Sequence, residues 1–349
     1  MSYTPFNAPL LAGYLGDHEI AGFFSVRADI DAMIRFEIAL ANAQARVGVI
    51  DRSAADAIAA GLADFEPDMV QLAKGVGRDG VVVPDLIAQM RHHIDGPEAV
   101  HLHSGTTSQD VIDTALMMRL VRVFGVFNAR IEELLSAFSQ LDEQFGALST
   151  KTRTRFQPAL ESTLSQKIQS WQRPLKRLQS DRPKDFPVQL GGPDGTRLTM
   201  GDQFEEIAAS LADQLGLASP PNHWQTDRWP ILSLSSWAMQ VTQALGKIGF
   251  DIMVLTQDEV ASLRLEGGGT SSAMAHKNNP VLAESLVTLS RFAAAQMSAI
   301  QHAALHENER SGSAWTVEWM ALPPLMVSTG AALRNATRLV KQIAPGRAQ

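Results

Sequence analysis

Residues 267–280 read GGGTSSAMAHKNNP. The glycines allow mobility and close backbone approach, Ser271 and Ser272 offer hydroxyls, and Lys277 and Asn279 offer donors suited to an anion. Two other polar segments carry comparable chemistry. In HLHSGTTSQDVIDT, residues 101–114, a glycine and a run of hydroxyls precede a long apolar-periodic stretch. Thr106, Thr107 or Ser108 can cap the helix that starts there, and the free N–H groups of a helix N-terminus suit a carboxylate or a phosphate. In TRTRFQPAL, residues 152–160, Arg153 and Arg155 can grip a carboxylate through two parallel hydrogen bonds. Each segment also has a plain structural use, as a hydrophilic loop, an N-cap or a pair of solvated arginines. The spacing of the glycines and Lys277 does not match a nucleotide-binding phosphate loop, and no strand is expected before it.

The elements that must position these segments read as helix. Apolar residues at Ile112, Leu116, Leu120, Phe124, Phe127, Ile131, Leu134, Phe138 and Leu141 fall three or four apart, which predicts one helix from Ser108 to about Phe145. Leu160, Leu164, Ile168, Trp171, Leu175 and Leu178 predict a second helix, and Leu234 to Leu255 a third within residues 229–265. Others are expected after Pro280 and around Thr316. The fold class is therefore all-α, an elongated bundle of long helices. Residues 1–100 carry shorter helices, over 27–47 and 53–62, and are expected to form a small N-terminal helical domain; residues 101–343 form the bundle and 344–349 a tail. The breaks at DRPKDFP and QLGGPDGTRLTMGD read as loops between helices.

Composition limits the chemistry. With 45% hydrophobic and 19% charged residues the 349-residue chain has an ordinary globular balance, long enough for a large core. A net charge of −7 argues against bulk binding of nucleic acid or an acidic membrane, though a local cationic pocket remains compatible with it. There is no cysteine, which excludes disulfides, thiolate nucleophiles and zinc–thiolate sites. No secretory leader pattern and no long apolar run occurs, so a soluble, cytoplasmic protein is expected. His92, His93, His101 and His103 lie close enough in sequence to raise a metal site as a rival, and a non-catalytic helical scaffold is the other.

Taken together, the polar segments resemble the signature regions of the aspartase/fumarase superfamily. TSSAMAHKNNP is similar to the family's G-S-S-x-M-P-x-K-x-N-P, with Thr270 for the glycine and Ala275 for the proline. HSGTTSQDVIDT, QLGGPDGT and RSGSAWTVEWMALPPL add three more matches in the expected order, from residue 103 to residue 325, and look most like the 3-carboxy-cis,cis-muconate cycloisomerase branch. One segment departs: where the eliminating lyases have R-T-H, this chain has Arg153, Thr154 and Arg155. Arg155 stays protonated and cannot act as a general acid, which suits a cycloisomerase that holds a tricarboxylate and needs no acid for a leaving group. The chain is also shorter than the family suggests, so a missing or reduced C-terminal domain is expected.

The resemblance implies lactonisation of 3-carboxy-cis,cis-muconate to 4-carboxymuconolactone in protocatechuate (β-ketoadipate) catabolism, with no cofactor. By it, Ser271 exchanges the proton at carbon, and Lys277 and Asn279 hold the aci-carboxylate with help from Thr107 and Ser108. His103, Arg155, Gln157 and Met274 are then substrate-binding residues. Ser272 is as readily structural, and His276 a loop residue. The family also implies a homotetramer whose sites are shared between subunits. An adenylosuccinate- or argininosuccinate-type lyase and a cycloisomerase for a sulfonated muconate stand as alternatives.

Overall fold

Where apolar spacing of three and four is sustained, the chain is helical. The computed structural model describes residues 4–94, 96–274 and 277–346. Two short helices, α1 (Ala12–Leu15) and α2 (His18–Gly22), lead into α3 (Val26–Arg46), α4 (Arg52–Gly61), α5 (Met69–Asp79) and α6 (Val83–Ile94). Then come α7 (Ser108–Phe145), α8 (Leu164–Ser180), α9 (Phe204–Leu215), α10 (Trp229–Leu255), α11 (Val281–Ala303) and α12 (Gly312–Val340). Every residue of the apolar series on α7 is buried, as are the series on α8 and α10 from Leu164 and Leu234 onward. A helix whose stripe is buried along its whole length is stabilised chiefly by that packing and not by intrinsic propensity.

Two cores result. The first runs along α7, α8, α10, α11 and α12, with Phe124, Phe127 and Trp237 in mutual ring contact near its middle. The indole N–H of Trp237 donates to the Leu178 carbonyl (2.9 Å) and that of Trp171 to Asp251 (2.8 Å), so α8 and α10 are tied by hydrogen bonds as well as apolar contact. The second core packs α3 to α6 against the first turns of α7, the segment at Val188 and Leu190, α9 and Trp315. The start of α7 is therefore where the two cores meet. Among the described residues no helix is long and apolar enough to cross a membrane.

Two expectations are corrected. Leu160, which its spacing assigns to a helix, lies 75% exposed on a β-hairpin of β1 (Ser149–Thr154) and β2 (Gln157–Thr163). The hairpin pairs Ser149 with Thr163 and Thr154 with Gln157, leaving Arg155 and Phe156 as a two-residue turn, both with positive φ (50° and 65°), as a type I′ turn requires. The third long helix stops at Leu255 and does not reach Leu265. The chain turns at Ala261 (φ 40°), and Leu263 and Leu265 are buried from β3 (Leu263–Leu265). A second short ribbon pairs β4 (Gly269–Thr270) with β5 (Asn278–Asn279), and β3 pairs with β6 (Ile343–Pro345).

Candidate active site

The N-terminus of α7 is braced by several separate segments of the chain. Thr107 is its N-cap residue, and Asp110 on the first turn accepts the Thr107 backbone N–H (3.2 Å). The same carboxylate accepts the backbone N–H groups of Gly191 (2.8 Å) and Gly192 (3.0 Å) and the Gln189 amide (3.2 Å), which pins the QLGGPDGT loop over the helix end. Burial pushes the Asp110 carboxyl up to about 7, against the downward pull of those hydrogen bonds. Gly192 has φ 75°, and a Cβ there would lie 2.8 Å from the Thr199 hydroxyl, so no other residue fits without rearrangement.

Arg310 closes the arrangement. Its Nε donates to the Gln109 side-chain oxygen (3.0 Å) and its terminal nitrogen to the Thr107 hydroxyl and the Pro193 carbonyl (3.1 Å each). Three of the four matching segments thus converge at one helix end, with an arginine and helix dipole favouring an anion there. Thr107 is engaged by Arg310, and Ser108 sits half-buried at the first helical position.

Beneath lies a buried ionic cluster. Arg228, with no exposed side-chain surface, meets Asp113 (2.6 and 3.1 Å) and Glu318 (2.8 and 2.7 Å) in two-pronged pairs, with the Trp315 indole donating to Asp113 (3.0 Å). The Trp224 ring centre lies 4.7 Å from the guanidinium carbon, and Nη1 also reaches the Trp224 and Gln225 carbonyls, so all the arginine's donors are used. Burial raises Glu318 despite its arginine. This cluster joins α7, α10 and α12 at the same end of the bundle.

The other two segments lie elsewhere along α7. Its 38 residues make a ruler of about 57 Å. His103, Thr107 and Ser108 stand at one end; the hairpin with Arg155 and Gln157 follows the other. There Lys151, Arg153, Arg155, Lys167 and Lys247 line a cleft of about 250 Å³ with Asp251, and the Phe156 ring packs on Phe250. The glycine loop lies between. The Gln342 amide reaches the Gly267 carbonyl (3.5 Å), and its neighbour Lys341 pairs with Glu133, a point roughly 35–40 Å along α7 from Ser108.

Within that loop Ser271 is partly exposed, and its hydroxyl accepts the backbone N–H groups of Ala273 (3.3 Å) and Met274 (3.1 Å). The Lys277 N–H returns to the Met274 carbonyl (3.1 Å), and Asn279 pairs with Gly269 across β4 and β5. Met274, Lys277 and Ser272 are exposed, and His276 lies outside the described residues, as do Ala275 and positions 347–349 of the tail. One chain therefore does not bring Ser271, Lys277 and Asn279 to His103, Thr107 and Ser108, and among the described residues no hydrogen bond or shared cleft joins either group to Arg155 and Gln157.

The histidines are held singly. His93 faces Asp64 (3.4 Å) and His103 faces Glu37 (2.7 Å). Among the described residues no group of three or more His, Asp or Glu is placed to hold a metal ion. Asp110, Arg310, Glu37 and the Arg228 cluster were not singled out from the sequence. Arg310, Asp110, Asp113 and Glu318 do stand within recognised segments, whereas Glu37 and Arg228 lie outside them and meet partners 66 to 115 residues away.

A model of the lyase family matches residues 17–294. The chain belongs to this family, within the aspartase/fumarase superfamily. The lyase-family relatives include the 3-carboxy-cis,cis-muconate cycloisomerase of Pseudomonas aeruginosa, 32% identical over 98% of this chain and 76% of the relative. The nitrosuccinate lyase of Streptomyces davaonensis is 32% identical over 88% of this chain and 69% of its own length. Among solved structures, the 3-carboxy-cis,cis-muconate lactonizing enzyme of Pseudomonas putida superposes with a TM-score of 0.89 at 30% identity, covering 97% of this chain and 77% of that one.

Proposed function

We propose that this lyase-family chain is a cycloisomerase that closes 3-carboxy-cis,cis-muconate to 4-carboxymuconolactone. The observation that carries the reading is Arg155 at the hairpin tip, a permanent cation where the resemblance puts the proton-handling histidine of the eliminating lyases. The cycloisomerase relatives of near-full-length similarity support it.

In the reaction one substrate carboxylate oxygen forms a C–O bond to an alkene carbon. The π pair moves to the neighbouring carbon, beside a second carboxylate, as an aci-carboxylate. Lys277 and Asn279 stabilise that charge, and the α7 N-terminus with Thr107 and Ser108 receives it. Ser271 gives its proton to carbon, and the two backbone N–H groups already aimed at its hydroxyl stabilise the alkoxide until solvent returns a proton. The trianion becomes a dianionic lactone, so each turnover takes up one proton. His103, Arg155, Gln157 and Met274 bind the remaining carboxylates and carbon frame. No step calls for a cofactor.

The distances along α7 support a site assembled between chains, in which the helix start, the hairpin and the glycine loop come from different copies of a cytoplasmic homotetramer. Ring closure breaks the conjugated diene, so ultraviolet absorbance of the muconate falls with wild-type protein and not with Ser271→Ala. The nitrosuccinate lyase relative supplies the competing reading, elimination, and nitrosuccinate is the parallel substrate. Turnover of nitrosuccinate with no change in the muconate would replace cycloisomerisation by elimination.

A further inference from the structure

His103 sits in the turn that leads into α7 with φ 62°, a conformation few non-glycine residues adopt. Its ring is backed by an acid from the second core. Glu37, in the middle of α3, has no exposed side-chain surface, and its Oε1 lies 2.7 Å from His103 Nδ1. The other carboxylate oxygen, Oε2, is buried with no hydrogen-bond partner among the described residues. A second residue on the same face of α3 holds the same turn: Gln44 donates its amide to the Ser104 carbonyl (2.9 Å).

Counting donors assigns the ring's proton. An ionised Glu37 can only accept. The Thr106 hydroxyl, 3.0 Å from the same Nδ1 and 3.3 Å from the His103 carbonyl, can donate to that carbonyl while accepting from the ring. Nδ1 therefore carries the hydrogen, leaving Nε2 free of hydrogen bonds among the described residues on a side chain that keeps 16% of its surface exposed. An unpaired buried carboxylate oxygen is an expensive feature in a core otherwise built of apolar side chains, which argues that Glu37 is kept for what it does to His103.

We infer that Glu37 is a positioning residue for the proposed reaction: its buried carboxylate locks His103 in one orientation and one tautomer, so that Nε2 faces a substrate carboxylate and hydrogen-bonds to it as N–H when the ring takes up a proton. This rests on the cycloisomerase reading for its substrate and on this chain's geometry for the lock. Gln44 anchors the same turn without touching the ring, so it separates the lock from mere support of the loop.

The test combines a spectrum with kinetics. In enzyme labelled with ¹⁵N-histidine, the His103 signals, assigned by their loss in His103→Ala, show a protonated Nδ1 in the wild type; an unprotonated Nδ1 overturns the inference with no variant of Glu37 needed. Glu37→Gln shifts those signals and lowers kcat/KM for the muconate about 10- to 100-fold, chiefly through KM, as loss of an orienting partner does elsewhere. Gln44→Ala leaves the signals in place, and Glu37→Gln adds no further loss in a His103→Ala background. An equal loss in both backgrounds would show that Glu37 acts by holding the fold. Absence of muconate turnover by the wild type would sink the cycloisomerase reading while leaving the spectrum to judge the lock.

Discussion

Replacing Arg228 with methionine removes the guanidinium between Asp113 and Glu318, whose side chains keep at most 2% of their surface exposed. Methionine fills similar volume, so the effect is electrostatic and not a cavity. Stranding a buried carboxylate by deleting its partner costs about 3–5 kcal/mol. The acids can limit that cost by taking up a proton. At pH 7, protonating a carboxyl of ordinary pKa near 4 costs about 4 kcal/mol, which sets a ceiling of the same size. The sign with pH follows. Burial already raises Glu318, and loss of the guanidinium, which holds it down, raises it further above its unfolded value. A group raised in the folded state contributes stability that is complete at low pH and is lost as pH climbs through the raised value. The deficit of Arg228→Met relative to wild type is therefore smallest near pH 4.5 and widens toward pH 8, by up to about 1.4 kcal/mol per pH unit for each affected group. Equilibrium urea unfolding at fixed protein concentration, followed by the fluorescence of the adjacent Trp224 and Trp315, reads both the size and the slope. A loss below about 1 kcal/mol at pH 7, or a deficit that does not change with pH, would refute the description of this cluster as an ionised, desolvated triad.

Two further outcomes follow from the site. Arg155→Met raises KM for the muconate about 10- to 100-fold, the scale of a lost charged hydrogen bond, with kcat little changed; an unchanged KM removes Arg155 from the substrate. Asp110→Asn abolishes a pH dependence: with the folded carboxyl at about 7 and the unfolded at 3.8, wild type loses up to about 4 kcal/mol between pH 4 and pH 7.5 from this group, and the variant does not. Parallel urea profiles across that range would show that Asp110 titrates normally.

Much of this fold is visible in the sequence because the long helices bury unbroken stripes. From Ile112 to Leu141 the spacing alone gives α7, and the structure begins and ends that helix at Ser108 and Phe145. The hairpin is invisible to the same reasoning. KTRTRFQPALES carries polar or exposed side chains on both faces, so no apolar period marks it, and Leu160 falls by coincidence in register with the helical series that begins at Leu164. Beyond Leu255 the helical spacing lapses, since Val260, Leu263 and Leu265 follow at intervals of five, three and two, and they are buried from a turn and a strand. The proposed Ser271, Lys277 and Asn279 were marked by type and local spacing. Glu37, Asp110 and Arg228 were not, since each is defined by partners brought from a distant helix or loop, and an acid within an apolar-periodic helix gives no sign in sequence of whether it faces solvent or a histidine.

Mixing two impaired variants tests the central claim most directly, that muconate ring closure occurs at a site built from several chains. Ser271→Ala and Arg155→Met proteins are dissociated together, reassembled and assayed at muconate concentrations below the raised KM. If the glycine loop and the hairpin of a working site belong to different chains, some sites in the mixture regain both intact, and activity rises above that of either parent. Activity equal to the average of the two parents at every mixing ratio, in assemblies shown to contain both chains, would contradict it.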